Sequence, residues 1–296
     1  MENVFRGISF KNVKKIRAFV DLTRVDHGIM LCIAILIGAL IAGGIPDVKK
    51  YFFAFLTALF LEMGAFALND YFDYEVDKKN RRMDRPLVRG DLKPSSAMAI
   101  YLIFSPIGML SSLMVNKTCF YIALINLVIA TIYDVKLKEI KVIGNFYIAF
   151  VMAIPFVFGA VAVREDVPSI VYFFAFLAFL SGGGREIIKD VMDFEGDKLR
   201  GTKSFPHYFG IKKSNEIASV FILLAIALSF IPFFFKIDSR YYGNILFLSF
   251  LIISNSIFIY SISLILKNDG RARKYTLAAM FIALIAFLAG SITFTK

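Results

Sequence analysis

Tryptophan is absent from this 296-residue chain, and histidine and cysteine occur only twice each. Cys32 and Cys119 both lie inside apolar runs and make neither a metal nor a redox motif, so they read as buried core thiols. His27 falls near the headgroup end of an apolar run, where a lone histidine is usually structural, and His207 carries no signal in its loop. A cleavable signal peptide is not evident: the first 24 residues are basic and mixed, without an apolar core or a small-residue cleavage site. Long structureless insertions are also missing, which argues against separate soluble domains.

Apolar sequence is abundant. Hydrophobic residues make up 58% of the chain, 33 of them phenylalanine, and mean hydropathy is +0.70. Soluble domains are closer to 45–50% apolar. Runs long enough to cross a bilayer recur along the whole length. Nine spans are predicted, at about 25–45, 51–68, 96–115, 118–135, 142–163, 168–187, 216–235, 241–265 and 275–294. The expected fold class is an all-α membrane protein, a single bundle of nine transmembrane helices with cytoplasmic cap loops. Counting Lys and Arg in alternate segments puts 27 of the 34 on the side holding the N-terminus, which is therefore expected to be cytoplasmic, with the C-terminus outside the cell membrane. The net charge of +11 is thus focused on one face, where insertion topology and anionic lipid headgroups account for most of it, rather than nucleic acid.

Against this background, residues 69–77 read N-D-Y-F-D-Y-E-V-D directly behind an apolar run. Crowded carboxylates resist ionising together unless a cation joins them. The pattern D-x-x-D-aromatic-E-x-D returns at residues 190–197, 120 positions on, after what is expected to be the sixth span. Such a recurrence suggests two pseudo-repeat halves, about 25–135 and 142–265, with the ninth span, 275–294, outside them. Asn69, Asp73 and Asp77 share one helical face at i, i+4 and i+8, as do Asp190, Asp193 and Asp197 at i, i+3 and i+7; Asp70 and Glu75 are offset. One stripe alone would read as a solvated helix end, with Asp77 and Arg81 as i,i+4 partners. Two matching stripes instead make an oxygen-ligand cage for a hard divalent cation. Because Mg²⁺ takes few carboxylates and completes its shell with water and phosphate, this much acid suggests two ions bridged by a diphosphate.

Basic residues follow each stretch. Arg81, Arg85 and Arg89 are four apart and would point one way if their segment were helical, although Pro86 interrupts it. Lys198, Arg200 and Lys203 follow the second stretch, and Tyr133, Lys136 and Lys138 close the fourth span. Arg forks suit phosphate oxygens. Glu62, seven residues before Asn69, lies about 10 Å deeper on the same face. It is either an intramembrane functional acid or a protonated group bonded to a neighbour such as Asn126.

These residues resemble the UbiA-type intramembrane prenyltransferases. The likeness rests on N-D-x-x-D-x-x-x-D at 69–77, R-P-L-x-x-G at 85–90, Y-D-x-x-L-K at 133–138, G-N at 144–145 and D-x-x-D-x-x-G-D at 190–197, and so covers nearly the whole chain. It implies that Mg²⁺ is held by Asn69, Asp73, Asp77, Asp190, Asp193 and Asp197, with Asp70 beside them. It also implies that Arg85, Lys138 and Lys203 contact the diphosphate, and that Tyr133 lies near the reacting carbon. Asp73, Asp77, Asp193, Asp197 and Tyr133 are the catalytic candidates; Arg24, Arg81, Lys136, Lys141 and Asn145 are further substrate contacts, some for an acceptor with its own phosphate. The implied donor is geranylgeranyl diphosphate. The compact length and the short span-four motif are most similar to members that alkylate the sn-2 hydroxyl of geranylgeranylglyceryl phosphate, an archaeal ether-lipid step. An aromatic quinone precursor such as 4-hydroxybenzoate or a naphthoate is the neighbouring alternative. A reading from another class, an ion-coupled transporter, places its polar site near the bilayer midplane, whereas both acidic stripes here lie at span ends.

Overall fold

The computed structural model describes residues 2–43, 47–136, 141–200 and 202–292, with side chains for 13–43, 47–136, 141–196 and 202–292. Every element among them is helical: α1 (Glu2–Thr23), α2 (Val25–Ile41), α3 (Val48–Lys79), α4 (Pro86–Arg89), α5 (Pro94–Val115), α6 (Lys117–Val135), α7 (Lys141–Val163), α8 (Ser169–Arg200), α9 (Phe205–Ser229), α10 (Ile231–Phe234), α11 (Ile245–Ile265) and α12 (Ala272–Ile292). Eight are long and apolar enough to cross a membrane, and the bent pair α1/α2 makes up to nine. The all-helical, multi-pass reading of the sequence therefore holds.

The spans differ from their expected ends in one way that matters. Both acid-bearing helices, α3 and α8, are 32 residues long. At 1.5 Å per residue each runs about 48 Å, well beyond a hydrocarbon core of about 30 Å. The two acidic stretches thus ride on helix extensions, because neither contains proline and the one glycine, Gly196, lies near the end of α8. Local geometry corrects the arginine stripe as well. Residues 80–85 are not helical, Arg81 adopts a left-handed φ of 52°, and helix resumes only for the four residues of α4, with Pro86 in its first turn. Arg81, Arg85 and Arg89 do not form a face.

The chain divides into two compact units, residues 1–29 with 52–136, and residues 30–51 with 137–296. In the first, α1 and α2 meet at 51° across Arg24, whose φ is 46°. A single residue, Asn116, joins α5 to α6; its extended backbone turns the chain and its side-chain carbonyl accepts the Cys119 N–H at 2.8 Å, capping α6. Arg89 straps the segment after α3 to α1 by donating to Asp91 at 2.6 Å, Asp21 at 2.7 Å and the Asp84 carbonyl at 3.0 Å.

In the second unit, α2 and α7 touch backbone to backbone. A Cβ on Gly159 would overlap the Ile35 carbonyl, and one on Gly38 would overlap that of Phe156, so only glycine permits the crossing. An aromatic cluster fills the core: Phe174 stacks on Phe287 at 4.1 Å between centroids, and the fully buried Tyr241 donates its hydroxyl to the Phe287 carbonyl at 2.8 Å. Asp238 holds Arg240 at 2.6 Å, and Arg240 donates to the Leu40 and Ile41 carbonyls at 2.8 and 2.7 Å. A cation thereby closes the C-terminus of α2, where the orphan carbonyls and the helix dipole favour positive charge.

Candidate active site

In the first unit, the C-terminal end of α3 carries its carboxylates in two different settings. Asp70 is 2% exposed, and its Oδ1 accepts from Arg24 Nη2 and from Arg85 Nη1, each at 2.9 Å. Arg24 reaches it from the α1/α2 bend, with its guanidinium 4.3 Å from the Phe66 ring centre. His27 meets the same ring edge-on at 5.3 Å, a packing role. Arg85 is delivered by the turn ahead of Pro86 and also brings Nε to 3.6 Å from the buried Asp77. Asn69 donates its amide N–H to Asp134 Oδ1 at 2.9 Å, which sets the orientation of the amide. Asp73 and Tyr133 are half-buried, while Glu75, Arg81 and Lys136 are exposed.

Asp70, expected beside the metal-holding residues, is where the arginines gather. Although offset from the Asn69–Asp73–Asp77 stripe, it is the point where two guanidiniums from distant parts of the unit converge. Arg24, expected to be open for an acceptor, is engaged with Asp70. Asp134 was visible in Y-D-V-K-L-K but not singled out. Its signal was an aspartate in the last turn of an apolar helix, where burial at 7% requires a partner. Glu62 is half-buried in α3, and Asn126 gives its amide to the Ile122 carbonyl of its own helix at 2.8 Å.

In the second unit Asp190 stands 3% exposed and accepts from Asn145 Nδ2 at 2.7 Å and from the Phe205 backbone N–H at 3.2 Å, with Lys141 Nζ at 3.8 Å. Asn145, expected as a substrate contact, is thus spent on a neighbouring carboxylate. Lys141 is further tied by its backbone N–H to the Lys203 carbonyl at 3.1 Å, and the Lys203 side chain is exposed. Asp193 is half-buried. His207 is exposed against Tyr208. The side chains of Lys138, Asp197, Lys198 and Arg200 lie outside the described residues.

Sequence-equivalent positions therefore play equivalent parts. The first aspartate of each stretch, Asp70 or Asp190, is buried and accepts from two donors on one of its oxygens, whereas the second, Asp73 or Asp193, is half-buried. Among the described residues no three His, Cys, Asp or Glu side chains gather closely enough to hold a metal by themselves. That is compatible with Mg²⁺, which needs only one or two carboxylates from the protein, and the donors present are the hard oxygens it prefers.

One feature of α8 was missed. Arg185, near the predicted end of the sixth span, is 4% exposed inside the helix, bonded to Glu186 at 3.1 Å, and Lys189 bonds the same Glu186 at 2.6 Å. Charged residues directly after an apolar run and three glycines were the available signal.

An all-helical fold with apolar spans and two acidic helix ends is the architecture of an intramembrane enzyme of the prenyltransferase class, and comparison with known proteins bears this out. The UbiA prenyltransferase family profile matches residues 31–285, and the chain belongs to that family. Among its relatives, the digeranylgeranylglyceryl phosphate synthase of Archaeoglobus fulgidus is 39% identical over 97% of this chain and 99% of its own length. That of Methanocaldococcus jannaschii is 34% identical over 95% and 98%. A solved structure concerned with digeranylgeranylglyceryl phosphate synthase in membranes is 32% identical and superposes with a TM-score of 0.73 over 94% of this chain and 99% of that one. A UbiA homolog from Archaeoglobus fulgidus bound to DMAPP and Mg²⁺ shares the fold at a TM-score of 0.64 and 19% identity, over 93% and 99%.

Proposed function

We propose that the chain transfers a geranylgeranyl group from geranylgeranyl diphosphate to the sn-2 hydroxyl of geranylgeranylglyceryl phosphate, with Mg²⁺ as cofactor. The observation that carries the reading is the 39% identity, over almost the full length of both chains, to a synthase of that name. Asn69, Asp73 and Asp77 on α3, with Asp193 and Asp197 on α8, would hold two Mg²⁺ ions; Asp70 and Asp190 brace the elements around them. Bound Mg²⁺ supplies neutralisation of the charge that grows on the diphosphate as its C–O bond breaks. Arg85, Lys138 and Lys203 would add donors to the same leaving group. Tyr133 would offer its ring face to the allylic carbon, and the surrounding apolar helices would keep water away from it. The acceptor hydroxyl attacks that carbon, forming the ether bond and releasing its proton while diphosphate departs. The basic-rich segments, including both acidic helix ends, would face the cytoplasm.

The test is purified protein in detergent with labelled geranylgeranyl diphosphate, Mg²⁺ and a panel of acceptors. Product is expected with geranylgeranylglyceryl phosphate, not with 4-hydroxybenzoate, and is expected to vanish on chelation. Absence of product with every acceptor, or equal behaviour of wild type and Asp73→Ala, would refute the reading.

A further inference from the structure

The cluster on α8 has more positive charge than its own carboxylate can balance. Arg185 and Lys189 both bond Glu186, and Arg273 on α12 lies within electrostatic reach of all three. Two cations thus bond one carboxylate, with a third close enough to act on it electrostatically. Arg185 Nε is buried and has no hydrogen-bond partner among the described residues. A buried charged donor left without a hydrogen bond is costly, and an ionisable group within an apolar span adds to that cost. An arrangement of this kind persists when something else completes it.

Its placement says what. At about 100° per residue, Arg185, Lys189 and Asp193 fall within an arc of about 80° on one face of α8. Lys189 lies about 6 Å, and Arg185 about 12 Å, to the bilayer side of Asp193. On the function proposed above, a diphosphate held at the aspartate stripe would point its reacting carbon and tail toward that side, the apolar interior of the span. An acceptor oxygen that attacks this carbon must approach from the tail side, and a glycerol phosphate carries its phosphate one carbon from its sn-2 hydroxyl.

We propose that Arg185 and Lys189 form a phosphate-monoester subsite for the acceptor, with Glu186 holding the two cations in place. The inference rests on the function proposed above and adds a binding role for residues that function does not use. A guanidinium fork engages phosphate oxygens through two parallel hydrogen bonds, and the cationic surplus matches a phosphate dianion.

The experiment measures kinetics and binding of wild type, Arg185→Gln and Lys189→Gln. Acceptor KM for geranylgeranylglyceryl phosphate is expected to rise about 10- to 100-fold, the loss of a charged hydrogen-bonded contact. Donor KM should stay within about twofold. The wild-type preference for this acceptor over geranylgeranylglycerol, which lacks the phosphate, should collapse. A purely structural cluster would lower turnover of both acceptors alike, and a diphosphate contact would raise donor KM instead; either result overturns the subsite. Lys189→Gln, at the wetter end of the cluster, tests the same prediction if Arg185→Gln fails to fold. Equilibrium binding of geranylgeranylglyceryl phosphate without donor separates the two proposals. Wild-type binding weakened at least about 10-fold in the variants supports the subsite even if no product forms, in which case only the proposed reaction fails. Equal binding by wild type and variants, or no binding by wild type, overturns the subsite.

Discussion

Asp70 shows why a single residue's surroundings outweigh its place in a motif. It is buried and accepts from two guanidiniums, so Asp70→Asn would leave Arg24 and Arg85 facing a neutral amide. Breaking a buried pair by removing one partner costs about 3–5 kcal/mol, and the partial exposure of both arginines puts the expected loss near the lower figure. A thermal unfolding midpoint in detergent is expected to fall together with activity. The exposed Glu75, two positions after Asp73, is the contrast: Glu75→Gln should leave the midpoint unchanged and activity within about twofold of wild type. If the two variants behave alike, burial is not what distinguishes these acids. The i, i+4, i+8 spacing made Asn69, Asp73 and Asp77 legible as a stripe. It could not show that Asp70 meets arginines 46 and 15 residues away, because helical phase says where a side chain points and not what stands there.

At the scale of the element, short-range chemistry sets where helices start, stop and cross. Asn116 ends α5 and caps α6 in one residue, so Asn116→Ala should cost about 1 kcal/mol, read as a lower unfolding midpoint without loss of donor affinity. Gly159→Val should be worse, since the added carbons meet the Ile35 backbone and only separation of α2 from α7 relieves them. A loss at the top of the usual 1–3 kcal/mol overpacking range, or failure to elute as a single species, is expected. The C-terminal closure of α2 adds a pH dependence. Burial pushes the Asp238 carboxyl up, but hydrogen bonds from Arg240 outweigh it and hold the group below the ordinary carboxylate range. A depressed folded value means stability present above about pH 4 and lost as pH falls below it. Unfolding midpoints of wild type should therefore drop on acidification below about pH 4 more steeply than those of Asp238→Asn, which has already lost the charge. Glycine in an apolar run was legible as permissive; that two glycines, Gly38 and Gly159, serve one crossing was not, for they are 121 residues apart.

For the whole molecule, the proposed placement of the basic-rich segments on the cytoplasmic side is what labelling can test. With Cys32 and Cys119 replaced by alanine, single cysteines at Lys212 and Lys236, both exposed, should react with an impermeant reagent from opposite sides of sealed vesicles. Position 212 is expected to label from the cytoplasmic side. Labelling of both from one side would refute the topology. Amino-acid order alone determined that this chain is an all-helical membrane protein with a repeated acidic motif, because hydropathy, period and positive charge are summed along a chain and need no partner to be read. Tertiary structure alone decided which acids are braced and which are half-open, and that Arg185 belongs inside the bundle instead of at its edge. Those outcomes depend on desolvation and, for Asp70, on counter-charges 46 and 15 residues away, and neither quantity exists until the helices have packed.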